Sequence, residues 1–180
     1  RSLQINQDAL VIGGGLSGMT AALDLANQRF NVSLVEKTKE LGGNFRKLHY
    51  LLESKYKPQE ELKSLVEKVK NNSRIKLYLE TETKEINGSM GNFTTILVGS
   101  NGNQPLEIKH GVVIVATGAE EYKPKEYLYG QDPRVLTQME LEEKLATKPK
   151  DFTANTVVMI QCVGSLIVEI LSHEIAIKKQ

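Results

Sequence analysis

Asp8-Ala-Leu-Val-Ile-Gly-Gly-Gly-Leu-Ser-Gly-Met-Thr-Ala-Ala22 is the stretch on which the fold of this chain turns. Ala9 to Ile12 is a short apolar run, the pattern of a strand buried on both faces. Gly13-x-Gly15-x-x-Gly18 follows at once, and Met19 to Gln28 reads as a helix with Ala22, Leu25 and Ala26 on one side. Strand, glycine turn and helix together make a common pattern into a dinucleotide-binding expectation. Gly13 permits the tight turn, Gly15 lets backbone approach a pyrophosphate, and Gly18 lets the helix lie close to the strand. The helix start at Leu16 and Ser17 then offers N–H groups and a positive dipole end to phosphate.

A second apolar run, Asn31-Val-Ser-Leu-Val-Glu36, ends in an acid. It falls roughly 20 residues past the glycines, where this fold places a carboxylate against the adenosine ribose. Glu36 disfavours a 2′-phosphate, although Lys37 and Lys39 weaken that argument.

The 180 residues carry a formal net charge of +1, one cysteine and no tryptophan. So balanced a charge makes no electrostatic case for nucleic acid or a membrane surface. No apolar run reaches the roughly eighteen residues that a spanning helix needs, since Gln161, Glu169, His173 and Glu174 interrupt Thr156 to Ile177. No signal-peptide pattern is visible, a lone cysteine closes no internal disulfide, and the cytoplasm is the expected compartment. Arg1 stands where a gene product would begin with Met, so a piece of a longer chain is expected.

Gly42-Gly43 past the second strand reads as backbone passing close to a ligand, or as a simple turn. Phe45 to Ser54 reads as helical. Pro58 opens a further helix whose Leu62, Leu65, Val66 and Val69 form a core-facing stripe, followed by a strand over Ile75 to Leu79. The period then changes to alternation. Thr83 to Asn87, Asn92 to Gly99 and Leu106 to His110 form a β-meander with turns at Asn87-Gly88 and Asn101-Gly102. The apolar strand Val112 to Ala116 ends in Thr117-Gly118, again a glycine at the carboxyl end of a buried strand. Tyr122, Tyr127 and Tyr129 lie on a loop, where they pack it or cover a ligand. Thr137-x-x-Glu140 is a capping box for a helix to about Ala146. Lys148 to Asn155 is a polar linker. Thr156 to Gln161 reads as another buried strand, turned by Cys162 to Ser165 into an apolar helix from Leu166. This divides the chain into a first domain over 1–147 and the start of a second α/β unit over 148–180. The expected class is α/β, a three-layer Rossmann-like dinucleotide-binding domain with a parallel sheet, a helix layer and a small antiparallel meander.

Gly13, Gly15, Gly18, Glu36, Gly42-Gly43 and Val113-Ile-Val-Ala-Thr-Gly118 together resemble the FAD domain of the two-dinucleotide-binding flavoproteins, a group that includes disulfide reductases and thioredoxin reductase. Asn31 to Arg46, Gly91-Asn92-Phe93, Tyr129 to Gln138 and Val158 to Ser165 resemble, more narrowly, the flavin-carrying A subunit of heterodisulfide reductases. The resemblance covers Gln7 to about Ser165. It implies FAD as cofactor, held by Gly13, Gly15, Leu16, Ser17 and Gly18 at the pyrophosphate and by Glu36 and Lys37 at the ribose. Gly42, Gly43, Asn44 and Arg46 would pass beside the phosphates and ribityl chain. Thr83 would meet adenine through its backbone, and Ala116, Thr117 and Gly118 would close over the cofactor. Asn44 and Arg46 could also stabilise negative charge on a phosphate or flavin. The implied partners are redox subunits of a heterodisulfide-reductase-like complex.

In that family the cysteine matching Cys162 opens a cysteine-rich run that holds an iron–sulfur cluster. Leu166 to Gln180 contains no cysteine, so those ligands are absent apart from Cys162. The second part of the FAD-binding fold and any dithiol pair are missing as well. His49, His110 and His173 show no metal-ligand spacing, and no catalytic residue or metal ligand is assigned, because a flavin itself carries out the redox chemistry. The expected function is an FAD-binding redox domain passing electrons between partner subunits and iron–sulfur centres or disulfide acceptors. An NAD-dependent oxidoreductase of the same fold, or a non-catalytic FAD-binding or docking fragment, are the alternatives.

Overall fold

The structure is a computed structural model that describes residues 5–52, 57–100, 104–161 and 163. The chain forms two units, Arg1–Ala119 and Glu120–Gln180. In the first, β1 (Ala9–Ile12), α1 (Leu16–Asn27), β2 (Val32–Val35), α2 (Pro58–Asn71) and β3 (Ile75–Tyr78) precede a meander of β4 (Thr81–Ser89), β5 (Asn92–Gly99) and β6 (Leu106–His110). The strand β7 (Val112–Val115) follows. β1, β2, β3 and β7 make a parallel sheet in the order β3-β2-β1-β7, with Ala9 opposite both Val32 and Val112. The meander is a separate antiparallel sheet.

Alternation along the strands explains the layers. Ala9 and Val11 of β1, with Val32 and Leu34 of β2, pack with Met19 and Ala22 of α1 and with Leu62 and Val69 of α2. Leu10 and Val35 point the other way, onto Leu97 and Ile108 of the meander. A central strand apolar at every position is what a sheet covered on both faces requires. Each such side chain removed from water contributes about 1.5–3 kcal/mol. This is the three-layer α/β arrangement read from the sequence.

Four readings are corrected. Residues 45–52 do not continue as a helix: Gly43–Lys47 is a single 3-10 turn, and the backbone leaves it at Leu48 (φ −76°, ψ 138°). Leu48 and Leu51 still pack against the helix-side core, so burial there needs no helix. The first hairpin does not turn at Asn87-Gly88. Ser89 pairs with Asn92, and Met90-Gly91 makes the turn, because Gly91 is tied by backbone bonds to Asn6 and Gly111 (both 2.8 Å). β7 is not buried throughout: it is the sheet's edge among the described strands, and Val112 and Val115 are 43% and 69% exposed. Finally, Thr156 to Gln161 forms no strand. It finds no ladder partner among the described residues, and Val157 to Ile160 remain exposed. The turn expected at Asn101-Gly102, Cys162, and the helix expected from Leu166 lie outside the described residues.

The meander is locked by a buried histidine. His110 is 1% exposed, with Nε2 2.7 Å from Thr95 Oγ1 and Nδ1 3.1 Å from the Val112 carbonyl oxygen, and its ring stacks on Phe93. The carbonyl can only accept, so Nδ1–H donates to it and the Thr95 hydroxyl donates to Nε2. Burial pushes the His110 pKa below its usual value, against the opposing pull of the Val112 bond. The unfolded chain thus takes up the proton first, and the stability this neutral ring supplies is complete above about pH 6.5 and lost as pH falls toward the folded-state pKa. Melting temperatures measured between pH 7.5 and 5 should fall for the wild type and fall less for His110→Gln.

The second unit is organised by α3 (Gln138–Thr147). Its capping box is present as read: Thr137 Oγ1 accepts from Glu140 N (3.3 Å), and Glu140 Oε2 accepts from Thr137 N (2.9 Å). Glu140 Oε1 accepts from Tyr129 Oη at 2.6 Å and from Lys123 Nζ at 2.9 Å, so Tyr129 anchors its loop. Tyr122 and Tyr127 are exposed.

Candidate dinucleotide site

The β1–α1 turn is built on contacts that exclude side chains. A Cβ on Gly18 would overlap the carbonyl oxygen of Gly13, and one on Gly13, where φ is +108°, would overlap that of Ala116. These glycines set how closely helix, strand and the end of β7 approach. Gly15 differs. It is the N-cap of α1, at φ −74° and ψ −175°, and a Cβ there would meet nothing within 4 Å. No side chain caps α1, and its first turn holds no acid. The first helical bond is Met19 N to Gly15 O, so the amides of Leu16, Ser17 and Gly18 have no partner within the helix. An uncapped helix start facing open space is suited to an anion.

Two further segments flank this turn. Gly42 N donates to Gly14 O at 2.8 Å, forming a parallel bridge between Gly15 and Gly42. A Cβ on Gly43 would lie 3.4 Å from Gly15 Cα, so the two backbones run nearly in contact. Asn44 Nδ2 donates to Ala119 O at 2.7 Å, tying this segment to the stretch after β7 that carries Ala116, Thr117 and Gly118. Thr117 and Gly118 are exposed, and nothing lies within 4 Å of a Cβ on Gly118.

Glu36, just past β2, is 7% exposed, and its carboxylate is held from three sides. Oε2 accepts from Gly14 N at 2.6 Å, and Oε1 accepts from Thr38 N and Thr38 Oγ1, both at 2.8 Å. Thr81 N donates to Glu36 O at 3.0 Å, which starts β4 beside the acid. Thr83 follows two residues on, at a bulge between Thr83 and Glu85 that interrupts the ladder. Lys37 is exposed. Arg46 is not gathered with the others. It ion-pairs with Glu40 and lines a cleft of about 440 Å³ against α2, whose rim carries Lys39, Lys63 and Lys70.

Thus Gly13, Gly15, Leu16, Ser17, Gly18, Gly42, Gly43 and Asn44 meet around the helix start. Ala116 lies against Gly13, and Glu36 reaches the turn through Gly14. The sequence reading missed Gly14 and Thr38. Gly14 is one of the unspecified positions of the glycine pattern, yet a Cβ there would overlap Leu41 and stand 3.0 Å from Glu36 Oε2. The run of three consecutive glycines, with Gly14 in its middle, was the available signal. Among the described residues no group of three or more His, Cys, Asp or Glu is placed to hold a metal ion, and no helix is long and apolar enough to cross a membrane.

The chain is 39% identical over 93 residues to a protein of Archaeoglobus profundus that is itself like the A subunit of heterodisulfide reductase, a match covering 52% of this chain and 13% of that one. It is 25% identical over 254 aligned positions to the iron-sulfur A 1 subunit of the CoB--CoM heterodisulfide reductase of Methanopyrus kandleri, covering 92% of this chain and 38% of the relative. The chain therefore spans well under half the length of these relatives. Among solved structures, L-proline dehydrogenase from P. horikoshii superposes with a TM-score of 0.54 at 32% identity, over 62% of this chain and 22% of that one. T. acidophilum thioredoxin reductase (TM-score 0.53, 22% identity, 68% of this chain and 40% of that one) shares the fold. Residues 7–160 match the model of the pyridine nucleotide-disulphide oxidoreductases, and the chain belongs to that family.

Proposed function

We propose that this chain is the FAD-binding domain of a heterodisulfide-reductase-A-like oxidoreductase. The observation that carries the reading is the open, uncapped start of α1 at Gly15, walled by the Gly42–Gly43 backbone and backed by Glu36. That cradle fits a dinucleotide, because glycine backbones leave room for a pyrophosphate and the unpaired amides supply donors for its oxygens. Gly13, Gly15, Leu16, Ser17 and Gly18 hold the pyrophosphate, with Gly42, Gly43 and Asn44 alongside. Glu36 takes the ribose with Lys37 at its edge, Thr83 meets adenine, and Ala116, Thr117 and Gly118 bound the flavin side. Arg46, paired to Glu40, contributes only at the margin of this set.

Bound FAD supplies hydride and electron transfer, while the protein binds and orients it. The partners are redox subunits that carry iron–sulfur centres, and the final acceptor is a disulfide or a similar group. Two relatives whose names place them in ferredoxin:CoB-CoM heterodisulfide reductases support the assignment to such a complex. The test is an absorption spectrum of the purified chain before and after incubation with FAD and removal of the excess. Retained flavin absorbance at close to one equivalent is expected. A colourless chain that instead retains NAD would transfer the site to a nicotinamide cofactor, and retention of neither would refute the site.

A further inference from the structure

We propose that Thr38 is the positioning residue that gives this site its preference for an unphosphorylated adenosine ribose. The inference rests on the adenosine site proposed above. An ionised carboxylate offers about four lone-pair sites. Three of Glu36's are taken: two on Oε1 by Thr38 N and Thr38 Oγ1, and one on Oε2 by Gly14 N. Among the described residues a single acceptor site is left, on Oε2, the oxygen beside the glycine turn. Because both bonds to Oε1 come from one residue, Thr38 fixes the plane of the carboxylate and thereby the direction of that free site. Thr38 has a single hydroxyl proton, which goes to the charged Oε1 in preference to the neutral Glu40 carbonyl oxygen, also 2.8 Å away, and Thr38 O accepts from Glu80 N at 3.1 Å, so the residue is held at the approach to β4. A carboxylate pinned in this way accepts from a ribose hydroxyl and faces a 2′-phosphate with a charge that cannot turn aside.

Thr38 is exposed, so its replacement carries little packing cost. Thr38→Val keeps the shape and the backbone N–H but sets a methyl against two oxygens at hydrogen-bonding distance. Glu36 then keeps one donor on each oxygen, the amide of residue 38 and that of Gly14, and its plane is less tightly set. The experiment measures dissociation constants of ADP-ribose and 2′-phospho-ADP-ribose for the wild-type chain, Thr38→Val, Thr38→Ser, Glu36→Ala and the double variant Thr38→Val/Glu36→Ala. For Thr38→Val, ADP-ribose should bind roughly tenfold more weakly, the scale of one charged hydrogen bond. The phosphorylated ligand, which gains nothing from the carboxylate, should change by no more than about twofold, so the ratio between the ligands narrows. Thr38→Ser should restore the ratio, and the double variant should bind as Glu36→Ala does, because Thr38 acts only through Glu36. Equal weakening of both ligands by Thr38→Val, or additive losses in the double variant, would overturn the proposal and leave Thr38 a structural residue. A wild-type chain that binds neither ligand would remove the adenosine site itself.

Discussion

Gly15→Val is expected to give a chain that folds and does not retain flavin. At φ −74° and ψ −175° the backbone of residue 15 is extended and open to any L-residue, and its Cβ projects into empty space. Valine there strains nothing. The loss of a glycine N-cap costs about 1 kcal/mol, a fall of roughly 2–4 °C in melting temperature for a chain of this size. The space the side chain enters, however, is the one through which the pyrophosphate must pass to reach the amides of Leu16 to Gly18. Affinity for FAD should fall at least about a hundredfold, or about 2.7 kcal/mol. The check pairs a flavin titration with a melting curve of the cofactor-free chain. Retention of stoichiometric flavin would mean that the phosphates lie elsewhere.

Gly18→Ala should do the opposite and strike the fold. The added methyl would overlap the carbonyl oxygen of Gly13. Both atoms in that clash belong closely to backbone, so no rotamer relieves it and α1 must lift from β1. Overpacking ordinarily costs about 1–3 kcal/mol, and a backbone clash belongs at or above the top of that range. At about 3 kcal/mol the melting temperature of the cofactor-free chain falls by roughly 6–12 °C. A change within about 1 °C would show that helix and strand are farther apart than described. Together the two glycines separate a binding role from a packing role within one four-residue turn.

What was legible in the sequence was local or periodic. The β1–α1–β2 unit follows from an apolar run, a glycine turn and a second run ending in Glu36, all within one supersecondary unit. The α2 stripe of Leu62 and Val69 is buried as its spacing requires. What was not legible depends on residues distant in sequence. Asn87-Gly88 is a good turn dipeptide, yet Met90-Gly91 turns the hairpin because Asn6 and Gly111 hold Gly91. Val157 to Ile160 have strand composition, but composition supplies no partner strand, and without one they stay exposed. Arg46 stands next to the glycine pair in sequence, whereas its guanidinium goes to Glu40. Gly14 went unnoticed for the same reason, whereas Thr38 lies two residues from Glu36 and was missed although the contact is local. Their importance lies in the carboxylate between them.

The parallel pairing of β1 with β7 joins Ala9 to Val112, and Ala116 lies against Gly13 beyond its end. During synthesis, β1, α1 and β2 leave the ribosome as a contiguous unit able to assemble on its own. At about 5–20 residues per second, β7 follows by something like 5–20 s. One edge of β1 has no strand to bond for that interval, and a loop of about 100 residues must then close at an entropic cost on the order of 4 kcal/mol. The Gly13–Ala116 contact that completes the cradle is made only when β7 docks. The α1 start, the Gly42–Gly43 backbone and Glu36 all precede β7, so a nucleotide can meet most of its cradle before the chain closes, and only the contact with Ala116 waits for β7.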